Sequence, residues 1–341
     1  MPSPFRRLAR PLLHLLAVGA VMAVAATPVQ ATSHYDVAAY QAWLAELRVE
    51  ALAAGIAGAT FDQALAGVTP LERVISADRN QPETVETHAG YIARRVDEVR
   101  IRLARERMAE HRALLDDVET TYGVQAKYIV ALWGMESAFG RFTGEIPVID
   151  ALVTLAFDPR RARFFRRELL AALEVLDEGY IAQADFRGSW AGAVGQVQFL
   201  PSNFLAYAVD HDGDGRRDLW TSQADVFASA ANFLANLGWQ AGGEWGEEVR
   251  LPAGFDAALA DLDIIKTRSA WAVLGITRLD GQALAGDGSL DASLVLPDGP
   301  GGHAYLVRHN YRVILRWNRS HPFGTSIGLL ADAIADQQVD Q

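Results

Sequence analysis

The sequence predicts a mainly helical α+β protein with a small β subdomain, and three observations carry that prediction. Apolar residues recur at helical spacing over most of the chain from His34 to Gly238. After Gly242 the pattern changes to short runs of strand-forming residues set apart by Pro and Gly. Half of the 341 residues are apolar and about a fifth are charged. That is an ordinary globular balance, on a chain long enough for one large domain or two to three smaller ones.

The first 31 residues read apart from the rest. Arg6, Arg7 and Arg10 form a positive start. An apolar stretch runs from Leu12 to Ala26, interrupted by His14, and Val29-Gln30-Ala31 sets small residues where a signal peptidase reads. This is the pattern of a secretory leader cleaved after Ala31. A membrane anchor is the alternative, but the stretch is short for a bilayer span and carries the cleavage site. Export to the periplasm without a membrane anchor is therefore expected. No later segment is apolar enough to span a membrane. The chain has no cysteine, which excludes disulfides, a thiolate nucleophile or metal site, and a lipid anchor on cysteine. A net charge of −11 excludes a general nucleic-acid binder, which needs basic surface to neutralise phosphate.

From His34 to Ala109 the spacing is helical. Tyr40 to Leu52 and Phe61 to Leu65 carry it, broken by Gly55 and Gly58. Thr69-Pro70 predicts a helix start with Pro in the first turn. Val85 to Glu119 predicts one or two solvated helices. Gly123 to Phe139 predicts a helix buried almost all round, because Ile129, Val130, Leu132, Trp133 and Met135 leave it no polar face. Gly140 stands where its C-cap is expected. Arg161 to Gly179 and Ala224 to Gly238 predict two more helices, and Gly188 to Phe199 a glycine-rich loop entering a short helix. Strands are expected over Glu248 to Leu251, Ala292 to Leu296 and Ala304 to Leu315, and a last helix over Thr325 to Gln337.

Five segments can carry chemistry. Glu136 lies in the last turn of the apolar helix, where desolvation and the negative end of the helix dipole disfavour a charged carboxyl. A general acid needs that environment, but a buried structural glutamate would also fit. In Ser189 to Ser202, small residues let a polymer approach the backbone. Ser189 and Gln198 can hydrogen-bond sugar hydroxyls or acetamides, and Trp190 and Phe199 can stack on sugar faces; a tight packing turn is the other reading. Asp210, Asp212 and Asp214 occupy positions one, three and five of a calcium-type loop, with Gly215 at six and the Arg216 carbonyl at seven. Position twelve is Thr221 where the motif wants a bidentate Glu, so Asp225 is the candidate substitute; an Asp/Gly-rich turn without metal is the alternative. Arg160 and Arg161, at a helix start, can bind acidic groups. Trp317-Asn318, after the expected strand, is polar and aromatic. No pair among the eight His has metal-ligand spacing.

Together these segments resemble the lytic murein transglycosylase B family. The resemblance runs from Val74–Glu83, with its Asp-Arg-Asn-Gln-Pro-Glu run, to Ser320. Its most specific parts are the Glu136 segment, the stretch Ala191 to Ser202, and the acidic loop ending in Asp218-Leu219-Trp220. It implies a lysozyme-like catalytic core (121–246) between a helical N-terminal region (32–120) and a small β subdomain (247–316), with a C-terminal segment (317–341) returning to the core. It implies that Glu136 is the single catalytic glutamate. Ser189, Gln198, Phe199 and Asn318 would line the glycan cleft, with Arg160 and Arg161 nearby; Trp317 stands where the family often has Tyr. Asp210, Asp212, Asp214, Arg216 and Asp225 would hold a structural calcium, with no organic cofactor. The implied partners are peptidoglycan glycan strands and, beside them, cell-wall synthases. The implied reaction cleaves the bond between N-acetylmuramic acid and N-acetylglucosamine, with Glu136 as acid and then base, and closes a 1,6-anhydro ring. A hydrolytic muramidase and a non-catalytic wall-binding protein remain the alternatives.

Overall fold

A computed structural model of the chain describes residues 35–80, 86–284 and 286–336. The expected leader lies outside the described residues, as do Gln81, Pro82 and Glu83. The N-terminal region is built from α1 (Val37–Ala53), α2 (Gly58–Ala64), α3 (Glu72–Arg79), α4 (His88–Arg95), α5 (Glu98–Glu110) and α6 (Arg112–Tyr122). Asp36 starts α1 by accepting from the backbone N–H groups of Ala38 and Ala39. Two expectations change here. The helix expected at Thr69-Pro70 begins at Glu72, because the Leu71 N–H is committed to Thr154 Oγ1 at 2.9 Å and Leu71 is extended. The run read as one or two helices is three. Asp97 breaks it by turning its carboxylate onto the Arg100 N–H at 2.7 Å, which starts α5 afresh, and His111 leaves helical geometry before α6.

The centre is α7 (Ala126–Ser137), with ten of its twelve residues buried, so it presents no solvent face. It starts three residues later than the sequence suggested. Gly123, at φ 71°, closes α6 instead. Helices α5, α6 and α11 (Gln223–Asn236) pack around it, as does α14 (His321–Ala335). Its five large apolar side chains contribute roughly 10 kcal/mol gross to folding at about 1.5–3 kcal/mol each. Helices α8 (Val148–Phe157) and α9 (Ala162–Asp177) form the adjoining layer, and β1 (Ile146–Pro147) pairs antiparallel with β2 (Arg187–Gly188). The short α10 (Pro201–Tyr207) follows the glycine-rich loop, as expected.

The β subdomain holds β3 (Gly246–Arg250), β4 (Lys266–Thr267), α12 (Arg268–Val273), β5 (Thr277–Arg278), β6 (Asp291–Val295) and β7 (Ala304–Val307). The strands pair antiparallel in the order β4-β6-β7-β3-β5. The sheet has its own apolar cluster, centred on Trp271, Leu294 and Leu306. The strand expected over Ala304 to Leu315 ends at Val307, and α13 (His309–Trp317) takes its place. Tyr311, Ile314 and Trp317 recur at a helical interval of three, and Asn310 pins the first turn by bonding the Gln240 and Gly243 backbone. The last helix starts at His321, four residues earlier than expected, because Ser320 caps it and Pro322 fits its first turn.

Candidate active site

Glu136 sits half-buried in the last turn of α7. The chain then leaves the helix abruptly. Ala138, Phe139 and Gly140 all have positive φ, at 49°, 62° and 80°. Gly140 is therefore not the cap; Ala138 is, and two non-glycine residues in left-handed geometry cost about 1–2 kcal/mol each. The surroundings hold this turn in place. The Phe139 ring folds back over α7, so that a Cβ at Gly134 would stand 2.7 Å from it. The Gly140 N–H donates to Ser137 Oγ at 2.9 Å and the Phe142 N–H to the Ser137 carbonyl at 2.9 Å. Strain of this kind clusters where a side chain must be aimed.

The aim is set from the far end of the chain. Trp317, the last residue of α13, donates its indole N–H to Glu136 Oε1 at 2.8 Å across 181 residues. Its ring is held in turn by Phe199 and Phe233, with centroids 5.3 and 4.8 Å away. Phe199 is only 1% exposed. The expectation that it stacks on a sugar face is thus corrected: it is a core residue that backs Trp317. The neighbouring Asn318 ends α13, and its Oδ1 accepts from the Ser320 N–H at 3.0 Å.

The glycine-rich loop lies against the same turn. Gln198, in left-handed geometry at φ 49°, gives both amide hydrogens to backbone, to the Thr143 carbonyl at 3.0 Å and the Gly195 carbonyl at 2.9 Å. Its amide oxygen is left as the acceptor for a ligand. Ser189 closes the loop by accepting from Ala191 and Ala193. Gly144 meets this loop so closely that a Cβ there would touch the Gly188 carbonyl at 2.1 Å. Sequence reasoning passed over Gln196, which is 5% exposed and joins Trp133 to Trp220 by hydrogen bonds. No signal in the sequence separated it from Gln198, two residues on.

Arg160 and Arg161 each have an ion-pair partner and remain partly exposed. Both bond Asp78 at the end of α3, which is 4% exposed, and Arg161 also lies over the Phe165 ring. The pair fastens α3 to the start of α9.

The acidic loop fits a divalent cation in part. Ligand oxygens of Asp210, Asp212 and Asp214 lie within 4.8 Å of one another. Oxygens bound at 2.3–2.6 Å to one calcium are separated by no more than about 5 Å, so the three stand close enough to share one ion. Asp225 stands outside the group. It is fully buried, with Oδ1 on the His211 N–H and Oδ2 on the Asp218 N–H, both at 2.7 Å. Burial pushes its carboxyl above the usual range. Its carboxylate straps the base of the loop.

A family model for the transglycosylase SLT domain matches residues 39–332. Membrane-bound lytic murein transglycosylase B of Escherichia coli (strain K12) is 33% identical over 220 residues, or 63% of this chain and 58% of that protein. The match thus spans less than two thirds of that relative's length. Among solved structures, SltB3 from Pseudomonas aeruginosa in complex with NAG-NAM-pentapeptide superposes with a TM-score of 0.82 at 45% identity, covering 87% of this chain and 79% of that one. Lytic transglycosylase Slt35 of Escherichia coli in complex with calcium gives 0.73 at 27% identity, covering 88% and 93%. The mainly helical, lysozyme-like architecture expected from the sequence matches these structures.

Proposed function

The chain belongs to the transglycosylase SLT domain family, and on that premise we propose that it is a peptidoglycan lytic transglycosylase with Glu136 as its sole acid and then base. The observation that carries the reading is the indole bond from Trp317 to Glu136 Oε1 at 2.8 Å. When Glu136 carries its proton, the oxygen that accepts the indole N–H serves as the carbonyl-type oxygen, which leaves Oε2 to hold the proton that the acid donates. Glu136 gives that proton to the glycosidic oxygen between N-acetylmuramic acid and N-acetylglucosamine. The muramoyl acetamide assists at the anomeric carbon, taking the role that a second carboxylate has in ordinary glycosidases. The carboxylate then removes the proton from the C6 hydroxyl, which attacks the anomeric carbon and closes the 1,6-anhydro ring. The complex of SltB3 with NAG-NAM-pentapeptide supports the substrate class.

Ser189, the Gln198 amide oxygen and Asn318 would face the glycan. Asp210, Asp212, Asp214 and the Arg216 carbonyl would hold a structural calcium, which when bound adds a cross-link to the loop and no chemistry at the glycan; the calcium complex of Slt35 supports this. Of the regions 32–120, 121–246, 247–316 and 317–341, the separate apolar cluster of the sheet supports the third as a unit, while one continuous core joins the other three and α13 packs against α14 of the returning segment. Export to the periplasm rests on the leader pattern, and work beside cell-wall synthases on the family resemblance. Among the described residues no helix is long and apolar enough to cross a membrane.

The test is mass analysis of muropeptides released from purified peptidoglycan. Products lighter by one water than the hydrolytic ones are expected, and reducing ends would replace this reading with a hydrolytic muramidase. Glu136→Gln should lower turnover by about 10²–10⁴-fold, the span of general acid–base catalysis, with melting and binding to cell walls unchanged. Wild-type lysis by that variant would remove the catalytic assignment.

A further inference from the structure

Gln196 is a buried amide with three side-chain hydrogen bonds beside the site, and nothing in the proposed chemistry uses it. Its amide oxygen accepts from Trp133 Nε1 at 2.7 Å and from Gln223 Nε2 at 3.2 Å, and its amide nitrogen donates to the Trp220 carbonyl at 2.9 Å. Its backbone N–H donates to the Leu219 carbonyl at 2.8 Å. Trp133 lies one turn of α7 before Glu136. On the other side, a Cβ added to Gly140 would stand 2.5 Å from the Gln196 amide oxygen. One buried amide therefore bonds the chain just before Glu136 and packs beneath Gly140 just after it, and it ties the first to the end of the acidic loop and the start of α11.

We propose that Gln196 is a positioning residue for Glu136, holding the helix end and the left-handed turn in one register against the acidic loop. This rests on the reading of Glu136 as the acid and base. The turn carries two non-glycine residues in left-handed geometry and would relax if the amide beneath it were withdrawn. Buried amides of this kind specify one arrangement because any other leaves a donor or acceptor unpaired. The acidic loop thereby gains a mechanical line to the carboxyl: Asp218 to Trp220 belong to that loop, and Gln196 grips its last turn at two carbonyls.

The experiment compares wild type, Gln196→Met and Gln196→Glu. Methionine keeps length and bulk without hydrogen bonds. Glutamate keeps the acceptor for Trp133 and loses the donor to Trp220. Three quantities are read: the melting temperature, kcat and KM for release of anhydro-muropeptides, and the indole ¹H–¹⁵N cross-peak of Trp317, which reports its bond to Glu136. Gln196→Met should lower kcat about 10–100-fold, the usual cost of an ångström-scale misplacement, with KM changed less than about twofold. It should also move the Trp317 cross-peak, and Gln196→Glu should recover part of both effects. A folded Gln196→Met with kcat near wild type and an unmoved cross-peak overturns the proposal. So does a loss of kcat that follows melting alone and is the same in both variants. If Gln196→Met does not fold, Gln196→Glu decides by the same criteria. If Glu136→Gln proves active, the acid assignment fails separately, while the cross-peak still decides whether Gln196 positions the carboxyl.

Discussion

Replacing Trp317 with Phe separates two things its side chain does. Phe keeps a ring against Phe199 and Phe233, which flank Trp317 at 5.3 and 4.8 Å, and deletes only the N–H that reaches Glu136 Oε1 at 2.8 Å. A hydrogen bond to a carboxylate contributes about 1.5–3 kcal/mol where both groups are buried. Glu136 is half-buried and water can replace the donor, so the low end applies and the fold should lose roughly 1–1.5 kcal/mol, a fall of about 2 °C in melting temperature for a chain of this size. Turnover should fall further than stability suggests. A carboxyl released from its donor samples rotamers that do not face the glycosidic oxygen, and misplacement of that size costs about 10–100-fold, or 1.4–2.7 kcal/mol of barrier. Trp317→Tyr, which brings back a donor at the ring's far end, should regain much of the loss. The assay is anhydro-muropeptide release by purified protein, with kcat and KM resolved, beside a thermal melt. A Phe variant that turns over within about twofold of wild type would refute the idea that the indole aims the carboxyl.

Other expectations concern the loop, the buried acid and the turn. Calcium at about 100 times its dissociation constant should stabilise the metal-free protein by about 2.7 kcal/mol. Asp210→Asn combined with Asp214→Asn should abolish that shift in a calcium-titrated melt; an equal shift in the double variant would place the ion elsewhere. Burial pushes Asp332, which accepts from Trp245 Nε1 and lies 3.8 Å from Lys127, up to about 6. The folded state then holds a proton that the unfolded state has released, so stability falls as pH rises from about 4 to 6. Asp332→Asn should flatten that fall and melt higher than wild type at pH 7 but not at pH 4, and the reverse order would show the charged form to be favoured. Gly134→Ala gains about 1 kcal/mol of helix propensity. It also drives a methyl to 2.7 Å from the Phe139 ring, an overpacking cost of about 1–3 kcal/mol. The clash should win, giving a lower melting temperature and slower turnover; a raised melting temperature would mean that the ring has room to move.

What the sequence disclosed was local. The apolar run of α7, the small residues of 188–199 and the aspartates of 210–214 are each contiguous, and contiguity is what periodicity and spacing can read. The pairing of Glu136 with Trp317 is not contiguous, and the sequence marked Trp317 only as a departure from a familiar phenol. The switch from β7 to α13 was hidden because Ala304 to Leu315 is apolar enough for either state, and the Asn310 contacts that decide it come from 67 and 70 residues away. Phe199 looked like a sugar platform because aromatic residues in a glycine-rich loop usually face outward; here the loop folds its aromatic inward. The left-handed turn after Glu136 went unseen because Ala138 and Phe139 carry no mark of positive φ. The Arg160–Asp78 and Arg161–Asp78 contacts escaped because nothing in either segment names the other.

The span between Glu136 and Trp317 also sets an order in time. Closing a loop of 181 residues costs about 5 kcal/mol of chain entropy, and synthesis delivers the N-terminal side first. The helix bearing the acid can therefore pack long before the indole that aims it arrives. Until α13 docks, Glu136 Oε1 lacks the indole N–H that it accepts in the finished fold. Chains cut short of Trp317, or still emerging, would carry the proposed acid without the indole that aims it.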